Sequence, residues 1–348
     1  MKKTLVALAV AAAAVAGSAN AAVVYENDGA KVELSGSFRA FLGRVSDDKR
    51  GDLINNKSRV ELKASQDLGN GLSALLGYEM RFNKNEDGKN KGNAGFDDPN
   101  TDKLFAGLKH TDIGTLTFGR QTTTGDDVLQ DGAYYTSGEN GILTTSAKKS
   151  VKFKSVEWNG FAFGADYIFG DSSKEAKSNQ VLKNGFGLTG YYNYKIDEKQ
   201  ALGFVVGYTQ ANYEESTGSA YPEVNQKDKA WLAHVDYTYG PFYAALNYGQ
   251  KLEDHKGESD VKYRYFLTDV SYQVTEPSKV YAQWERIDGK EKGSNVRDVE
   301  NIYVVGADYK LHKNVVTYAE YAHKRTKDGA DQETVKDNVY GVGLRVFF

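Results

Sequence analysis

Apolar and polar residues alternate with a period of two along most of the chain, which is the pattern of β-strands with one apolar face. In segment 161–169 one face carries Phe, Phe, Ala, Tyr and Phe, and the other carries Ala, Gly, Asp and Ile. Segments 72–82, 231–239 and 340–348 repeat the rule. Each segment is a weak signal by itself, but its repetition from one end of the chain to the other predicts an all-β protein.

The alternation predicts about sixteen strands, an even number in the range of bacterial membrane barrels. The expected ranges are 31–44, 55–66, 71–83, 102–110, 114–121, 151–158, 161–170, 185–195, 201–210, 228–239, 241–250, 261–273, 277–287, 299–310, 313–324 and 337–348. Short turns such as Asp67–Asn70 alternate with long polar connections, of which Thr122–Ser150 is the longest. An up-and-down antiparallel β-barrel requires this, because its turns and its loops lie on opposite sides of the membrane. No linker interrupts the pattern, so a single domain over residues 22–348 is expected.

The membrane explains why the sheet must close. Hydrocarbon offers no partner to backbone N–H and C=O groups, so only helices or closed sheets cross it. The apolar face of each strand is therefore expected to face lipid, and the polar face is expected to line the interior. A barrel of this strand number encloses more space than its side chains fill, which predicts a water-filled lumen. The charged residues expected to face it are Arg39, Arg59, Glu61, Lys63, Glu79, Arg81, Lys152, Lys154, Asp166, His234, Asp236 and Asp308.

Composition excludes several other classes of protein. The chain has no Cys, so it has no disulfide framework, thiolate metal site or cysteine nucleophile. A mean hydropathy of −0.58 with 26% charged residues excludes a helical membrane bundle. The formal net charge of −3 argues against nucleic acid as a partner. No cofactor and no metal site are expected.

Residues 1–21 have the pattern of a secretory signal peptide. Lys2 and Lys3 precede the apolar run Leu5–Ala16, and the segment closes on Ala19-Asn20-Ala21, an A-x-A cleavage pattern. The alternative is an N-terminal anchor helix, but the apolar run is shorter than the ~20 residues that a span needs. We therefore expect export through a cleaved signal peptide.

Four stretches carry more specific information than their alternation. They are Phe105-Ala106-Gly107-Leu108-Lys109 with Asp112, Gly114 and Phe118-Gly119-Arg120; Tyr25–Gly29 leading into Val32–Phe38; Ser58–Glu61 through Leu68–Leu72; and the final Phe348. They resemble the general, or non-specific, porins of the Gram-negative outer membrane. The first is similar to the strand pair that precedes the third loop of those porins.

The resemblance implies a homotrimer in the cell outer membrane, each subunit a multi-pass barrel that lets ions and small hydrophilic solutes diffuse passively. The implied partners are outer-membrane lipid and lipopolysaccharide. The third loop, here Thr122–Ser150, is expected to fold into the lumen and to form a constriction.

In this family, acidic residues on the third loop face a ladder of basic residues across the pore. The resemblance places Arg59, Arg120 and Lys154 in the ladder, and Arg39 is the expected substitute for a fourth position, which is Ser37 here. The period-two alternation also turns Arg59 and Lys154 towards the lumen, but it would turn Arg120 outward. The alternative is that these charges form a solvated face with no role in selection. The expected loop acids are Asp126, Asp127, Asp131 and Glu139.

Two other functions stay open at this point. A plugged barrel that acts as an adhesin or structural anchor would show the same strand pattern. A barrel-borne hydrolase would need a nucleophile with a positioned His, or an Asp/His set that activates water. No G-x-S-x-G or H-E-x-x-H motif is present, so no catalytic residue is assigned. The histidines are His110, His234, His255, His312 and His323.

Overall fold

The computed structural model describes residues 21–82, 95–96, 99–136, 141–170, 180–215, 226–255, 259–330 and 333–348. The predicted signal peptide lies outside these ranges except for Ala21, and Glu139 also lies outside them. Within the described ranges, no helix is long and apolar enough to cross a membrane.

The strands form one closed antiparallel sheet. They are β1 (Ala22–Asn27), β2 (Ala30–Arg44), β3 (Asp52–Asn55), β4 (Arg59–Gly69), β5 (Leu72–Arg81), β6 (Asn100–His110), β7 (Gly114–Thr122), β8 (Ser146–Ser155), β9 (Phe161–Phe169), β10 (Gln180–Lys195), β11 (Gln200–Glu215), β12 (Gln226–Tyr239), β13 (Phe242–His255), β14 (Val261–Thr275), β15 (Ser278–Glu291), β16 (Arg297–His312), β17 (Val315–Lys327) and β18 (Thr334–Phe347). Sixteen of them, β2 and β4–β18, pair in chain order around the barrel, which confirms the predicted architecture. The short strands β1 and β3 pair with β2.

Several strands are longer than their side-chain pattern predicts. β8 begins at Ser146 rather than at 151, because the ladder with β7 continues to the pair Thr122 and Ser146. β10 and β11 extend to the pair Gln180 and Glu215, beyond the predicted ends. Backbone pairing needs no apolar side chain, so the ladders continue into polar segments that alternation does not detect.

The sheet closes where β18 and β1 meet the same edge of β2. β18 pairs with the second half of β2, through pairs such as Val342 with Leu42, and β1 pairs with the first part. Between these two stretches, Gly36 N–H donates to Phe348 O at 2.9 Å, and Phe348 N–H donates to Gly36 O at 3.1 Å. The two terminal strands thus leave no free edge on β2, which a membrane-spanning sheet requires.

The two faces of the strands differ as the alternation predicted. On β12, Trp231 and Tyr239 are exposed on the outer face, whereas His234 and Asp236 point inward and are 2% and 3% exposed. The outer face of the barrel is rich in exposed aromatic and aliphatic side chains along its whole circumference. Such a face matches the apolar band of an outer-membrane barrel.

The third loop, residues 123–145, joins β7 to β8 and folds against the inner wall. It begins with a short 3-10 turn, Thr124–Asp127. Its Val128 and Leu143 are buried in an apolar cluster with inward side chains of β9–β12 and β14, among them Leu232 and Leu267. The interior is therefore not uniformly polar, because part of the inner wall is the apolar seat of this loop.

Glycines on the inner wall make room for the loop. A Cβ at Gly207 would lie 2.5 Å from Val128, and a Cβ at Gly249 would lie 2.8 Å from Ile142. A second apolar cluster joins Ala133 and neighbouring loop residues to the inward rings of β2, β15 and β17. The described parts of the third loop thus pack against inward side chains of strands on several sides of the barrel.

Candidate pore constriction

Four guanidinium groups stand side by side on the inner wall formed by β18, β2, β4 and β5. Arg345 on β18 pairs in register with Arg39 on β2, and Arg59 on β4 pairs with Arg81 on β5. Arg59 also lies opposite Ser37, two residues from Arg39. Because directly opposite residues share one face of a sheet, the register turns these side chains into the lumen together.

The buried carboxylate of Glu79 connects Lys103 to these four arginines. Lys103 on β6 lies 2.8 Å from Glu79 on β5, which is only 2% exposed. Glu79 also pairs with Arg81, whose guanidinium reaches Asp102 at 3.1 Å. We call Arg39, Arg59, Arg81, Lys103 and Arg345 the basic wall. Arg81 and Lys103 are therefore both close to carboxylates.

The other three cations have little compensating charge. Arg59 shares the single carboxylate of Glu79, at 3.4 Å, with Arg81 and Lys103. Arg39 Nε donates to Ser37 Oγ at 2.8 Å, and among the described residues no carboxylate oxygen lies within 4.0 Å of it. Arg345 donates to the backbone oxygen of Tyr134 and lies 4.6 Å from the centre of that ring. Positive charge is therefore concentrated at the β18–β2–β4 end of the basic wall.

Asp127 on the third loop is tied to the barrel. Its Oδ2 accepts hydrogen bonds from Lys154 Nζ and from Tyr191 OH, both at 2.7 Å. Lys154 Nζ also lies 4.2 Å from the centre of the Tyr191 ring. Lys154 thus binds the loop at its own side of the barrel and does not stand beside Arg39 and Arg59.

The charge of Asp126 on the third loop interacts with cations of β5, β6 and β8. Asp126 is exposed to solvent, but the surrounding protein and the neighbouring Asp127 carboxylate raise its pKa above the ordinary Asp value. The charges of Lys103, Lys152 and Arg81 act on it in the opposite direction. Asp126 is therefore within electrostatic range of the β5–β6 end of the basic wall.

Asp131 takes a different position from Asp126. Its charge acts on the phenols of Tyr243 on β13 and Tyr265 on β14. The next loop residue, Gly132, lies so close to Asp269 on β14 that a Cβ would come within 2.1 Å of its carboxylate. Asp131 therefore belongs to the side of the loop that is turned to the barrel wall.

Two inward carboxylates hold the loop through its backbone. Asp166 on β9 accepts hydrogen bonds from Thr124 N–H at 2.8 Å and from Thr124 Oγ1 at 2.6 Å. Glu320 on β17 accepts the N–H groups of Tyr134, Tyr135 and Thr136, the last two at 2.8 and 3.1 Å. These charge-assisted bonds fix the loop at two sites on different sides of the barrel.

Arg120 lies apart from the basic wall. It pairs in register with Leu104, whose side chain is half exposed on the outer face, and its Nε donates to the backbone oxygen of Asp102 at 3.0 Å. Inward positions of β7 are instead taken by Thr117 and Gln121, which are bonded to each other at 2.6 Å. The side chain of Arg120 therefore points outward, as the alternation along the strand predicts.

Sequence reasoning assigned no constriction role to Glu79, Arg81, Lys103 or Arg345. The parity of the last strand already turned Arg345 away from lipid, and Arg81 was expected to face the lumen. The missing information was the register between β18 and β2, which brings Arg345 to Arg39. The alternation of side chains within each strand could have placed these residues on the inner face. Only the pairing between strands shows that they form one group.

Known proteins support the same architecture. The chain matches the family model for Gram-negative porins over residues 7–329. It is 41% identical over 362 residues, with 100% of both chains covered, to the major outer membrane protein of Pasteurella multocida strain Pm70. Its fold is similar to the trimer form of OmpT, an outer membrane protein of Vibrio cholerae, with a TM-score of 0.70 and 18% identity over 92% of this chain and 100% of that one. It is also similar to an anion-selective porin from Comamonas acidovorans, with a TM-score of 0.72 and 17% identity over 92% of this chain and 100% of that one. The chain therefore belongs to the Gram-negative porins, and it forms a general channel of the outer membrane.

Proposed function

We propose that the constriction of this channel lies between the basic wall and the third loop, and that the charges on its two sides select among permeating ions. The observation that carries the proposal is the row of cations on five neighbouring strands, with Asp126 of the loop within electrostatic range of it. Among the described residues, the five cations of the basic wall contact only two carboxylates, Glu79 and Asp102, so the wall keeps a net positive charge. The basic wall should therefore favour anions over cations at the narrowest point.

The field of these charges is strong enough to act on a passing ion. Low-dielectric walls around a narrow aqueous channel strengthen the effect of fixed charges. At ~0.15 M salt the Debye length is about 8 Å, so screening is incomplete across a constriction. A hydrated ion near the basic wall thus passes within the range of several fixed charges.

Replacement of Arg59 tests the proposal. Arg59→Ser should raise the permeability of cations relative to anions, measured as the reversal potential of purified channels across a KCl gradient. Lys63→Ser is the matched control, because Lys63 points inward on the same strand but pairs with Glu61 at 3.3 Å. A reversal potential that is unchanged in Arg59→Ser, with normal conductance, would place Arg59 outside the constriction.

We further propose that the protein is a homotrimer embedded in outer-membrane lipid and lipopolysaccharide. Its similarity to the trimer form of OmpT and its exposed apolar outer face support this assembly. Crosslinking in native outer membranes should capture trimers. Capture of monomers alone would contradict the proposal.

Export is proposed to proceed through cleavage after Ala21. The A-x-A pattern supports this site, and the first strand begins at the next residue, Ala22. Mass spectrometry of the protein isolated from outer membranes should find Ala22 as the N-terminal residue. An N-terminal residue upstream of Ala21 would exclude this site.

Passive conduction, without enzymatic activity, completes the proposed function. The family and the relatives support a channel over a hydrolase. Stable, ohmic single-channel currents in planar bilayers would distinguish an open channel from a plugged barrel that acts as an adhesin or anchor. A barrel that inserts but carries no current would support the plugged alternative.

A further inference from the structure

Three guanidinium groups of the basic wall converge at the seam of the barrel. Arg345 and Arg39 are direct cross-strand partners, and Arg59 lies on the next strand opposite Ser37. Neighbouring strands are about 4.8 Å apart, so these side chains are close enough to contact one small ligand. This group combines residues from the beginning and the end of the chain.

The three groups retain unused hydrogen-bond donors. Arg59 Nε and Arg345 Nε are buried, and neither has a hydrogen-bond partner within the described part of the chain. For Arg39 the structure gives a single side-chain bond, from Nε to Ser37 Oγ. Buried donors without acceptors and like charges at short range are both unfavourable, and an anion would relieve both.

Neighbouring contacts fix the group in place. Arg345 lies over the rings of Tyr134 and Tyr318, at 4.6 and 5.8 Å from their centres. Tyr134 is itself held, because its hydroxyl donates to Asp308 at 2.8 Å and its N–H donates to Glu320. A ligand that binds here therefore has little side-chain entropy to remove.

We propose that Arg39, Arg59 and Arg345 form a saturable binding site for small oxyanions of charge −2. A guanidinium group matches two oxygens of one anion in a planar, paired geometry, and a single spherical ion such as chloride cannot use that geometry. The site rests on the proposed function, since the basic wall must line the path of permeating ions. Anions of this class would be concentrated at the constriction from dilute solution.

Binding at such a site must also permit release. A channel conducts when a site binds well enough to admit the ion and weakly enough to let it leave. Arg81 and Lys103, paired to Glu79 and Asp102, lie beside the site and carry less free charge. They would provide the weaker positions onto which the anion moves.

Inorganic phosphate at a pH where it carries charge −2 is the probe for this site. Single channels of the purified porin are held in a constant KCl background, and the chloride current is measured as phosphate is added. The current should fall along a saturating curve. Arg39→Gln or Arg59→Gln should raise the half-saturating phosphate concentration about tenfold, the effect expected from one charge-assisted hydrogen bond.

Two further variants separate a binding site from general attraction. Arg39→Lys keeps the charge but loses the paired geometry, so it should weaken the phosphate effect as Arg39→Gln does; a parent-like phosphate curve in Arg39→Lys would show that charge alone attracts phosphate. Lys63→Gln removes a charge from the same strand as Arg59 outside the site and should leave the phosphate curve unchanged. Equal weakening in Lys63→Gln and Arg59→Gln would overturn the site.

The outcomes also distinguish the site from the constriction on which it rests. If phosphate acts without saturation in the parent channel while Arg59→Gln shifts the reversal potential, the constriction stands and the binding site does not. If neither quantity responds to Arg59→Gln, both are wrong. Heat-modifiable mobility of each variant confirms that its barrel is folded.

Discussion

The Lys154 ammonium and the Asp127 carboxylate form an ion pair between the barrel wall and the third loop, with Nζ 2.7 Å from Oδ2. Tyr191 contributes a hydroxyl to the same oxygen and its ring to the same ammonium. Lys154, which the family resemblance placed in a basic ladder across the pore from the loop acids, is thus bonded directly to one of those acids. The pair fixes the first turn of the loop.

This pairing predicts compensating effects on selectivity. Lys154→Ser leaves the Asp127 charge free and should raise relative cation permeability, whereas Asp127→Ser should lower it. The double variant should return close to the parent reversal potential, because it removes a pair with no net charge. Reversal potentials across a KCl gradient measure all three. A double variant that keeps the full shift of either single variant would show that the two charges do not compensate each other.

Glu320 is predicted to hold the middle of the third loop. Glu320→Gln replaces one acceptor oxygen with an N–H₂ group that faces the N–H groups of Tyr135 and Thr136. Loss of these bonds should destabilise the loop by roughly 1–3 kcal/mol. Hydrogen exchange at Tyr134–Thr136 should accelerate, and single-channel currents should become noisier.

Glu276→Gln is the control for this variant, because Glu276 lies exposed in the turn between β14 and β15. Its exchange rates and current noise should equal those of the parent. Unchanged protection of residues 134–136 in Glu320→Gln would mean that the apolar seat holds the loop without this carboxylate.

The raised pKa of Asp126 predicts a change of selectivity with pH. As the pH falls from about 7 towards the ordinary Asp value of 3.8, Asp126 takes up a proton before a carboxyl group of ordinary pKa does. The loop then loses negative charge opposite the basic wall, and anion preference should increase. Reversal potentials recorded over this range should show the change, and Asp126→Asn should remove its first part. An identical pH profile in Asp126→Asn would assign the change to other groups.

Closure of the barrel depends on the absence of a side chain at Gly36. A Cβ there would lie 2.3 Å from the Phe348 ring and 2.7 Å from the backbone oxygen of Arg59. Gly36→Val should therefore displace the ring and impair barrel assembly, as deletion of Phe348 should. Surface level and heat-modifiable mobility measure assembly.

Gly190→Ala is the matched glycine variant, since a Cβ at Gly190 meets its nearest neighbour at 3.7 Å. It should assemble like the parent. Normal surface levels and mobility in Gly36→Val would show that the ring can move at little cost.

The sequence by itself determined the strands, their two faces and the order of turns and loops. This information is local: parity within one strand decides whether His234 and Trp231 point to opposite sides. It also gave Arg120 its outward orientation and Arg59 its inward one, because a period of two needs no knowledge of a partner strand. The conflict between alternation and family resemblance at Arg120 was visible before any coordinates.

Only the tertiary structure decided which charges meet. Arg345 and Arg39 lie near opposite ends of the chain and come together because β18 closes on β2 in one register. The apolar seat of the third loop, the ion pair of Asp127 with Lys154 and the hold of Glu320 on the backbone likewise join segments far apart in sequence. Parity cannot specify such contacts, because they depend on strand register and on the path of a loop whose energy comes from packing against several strands at once.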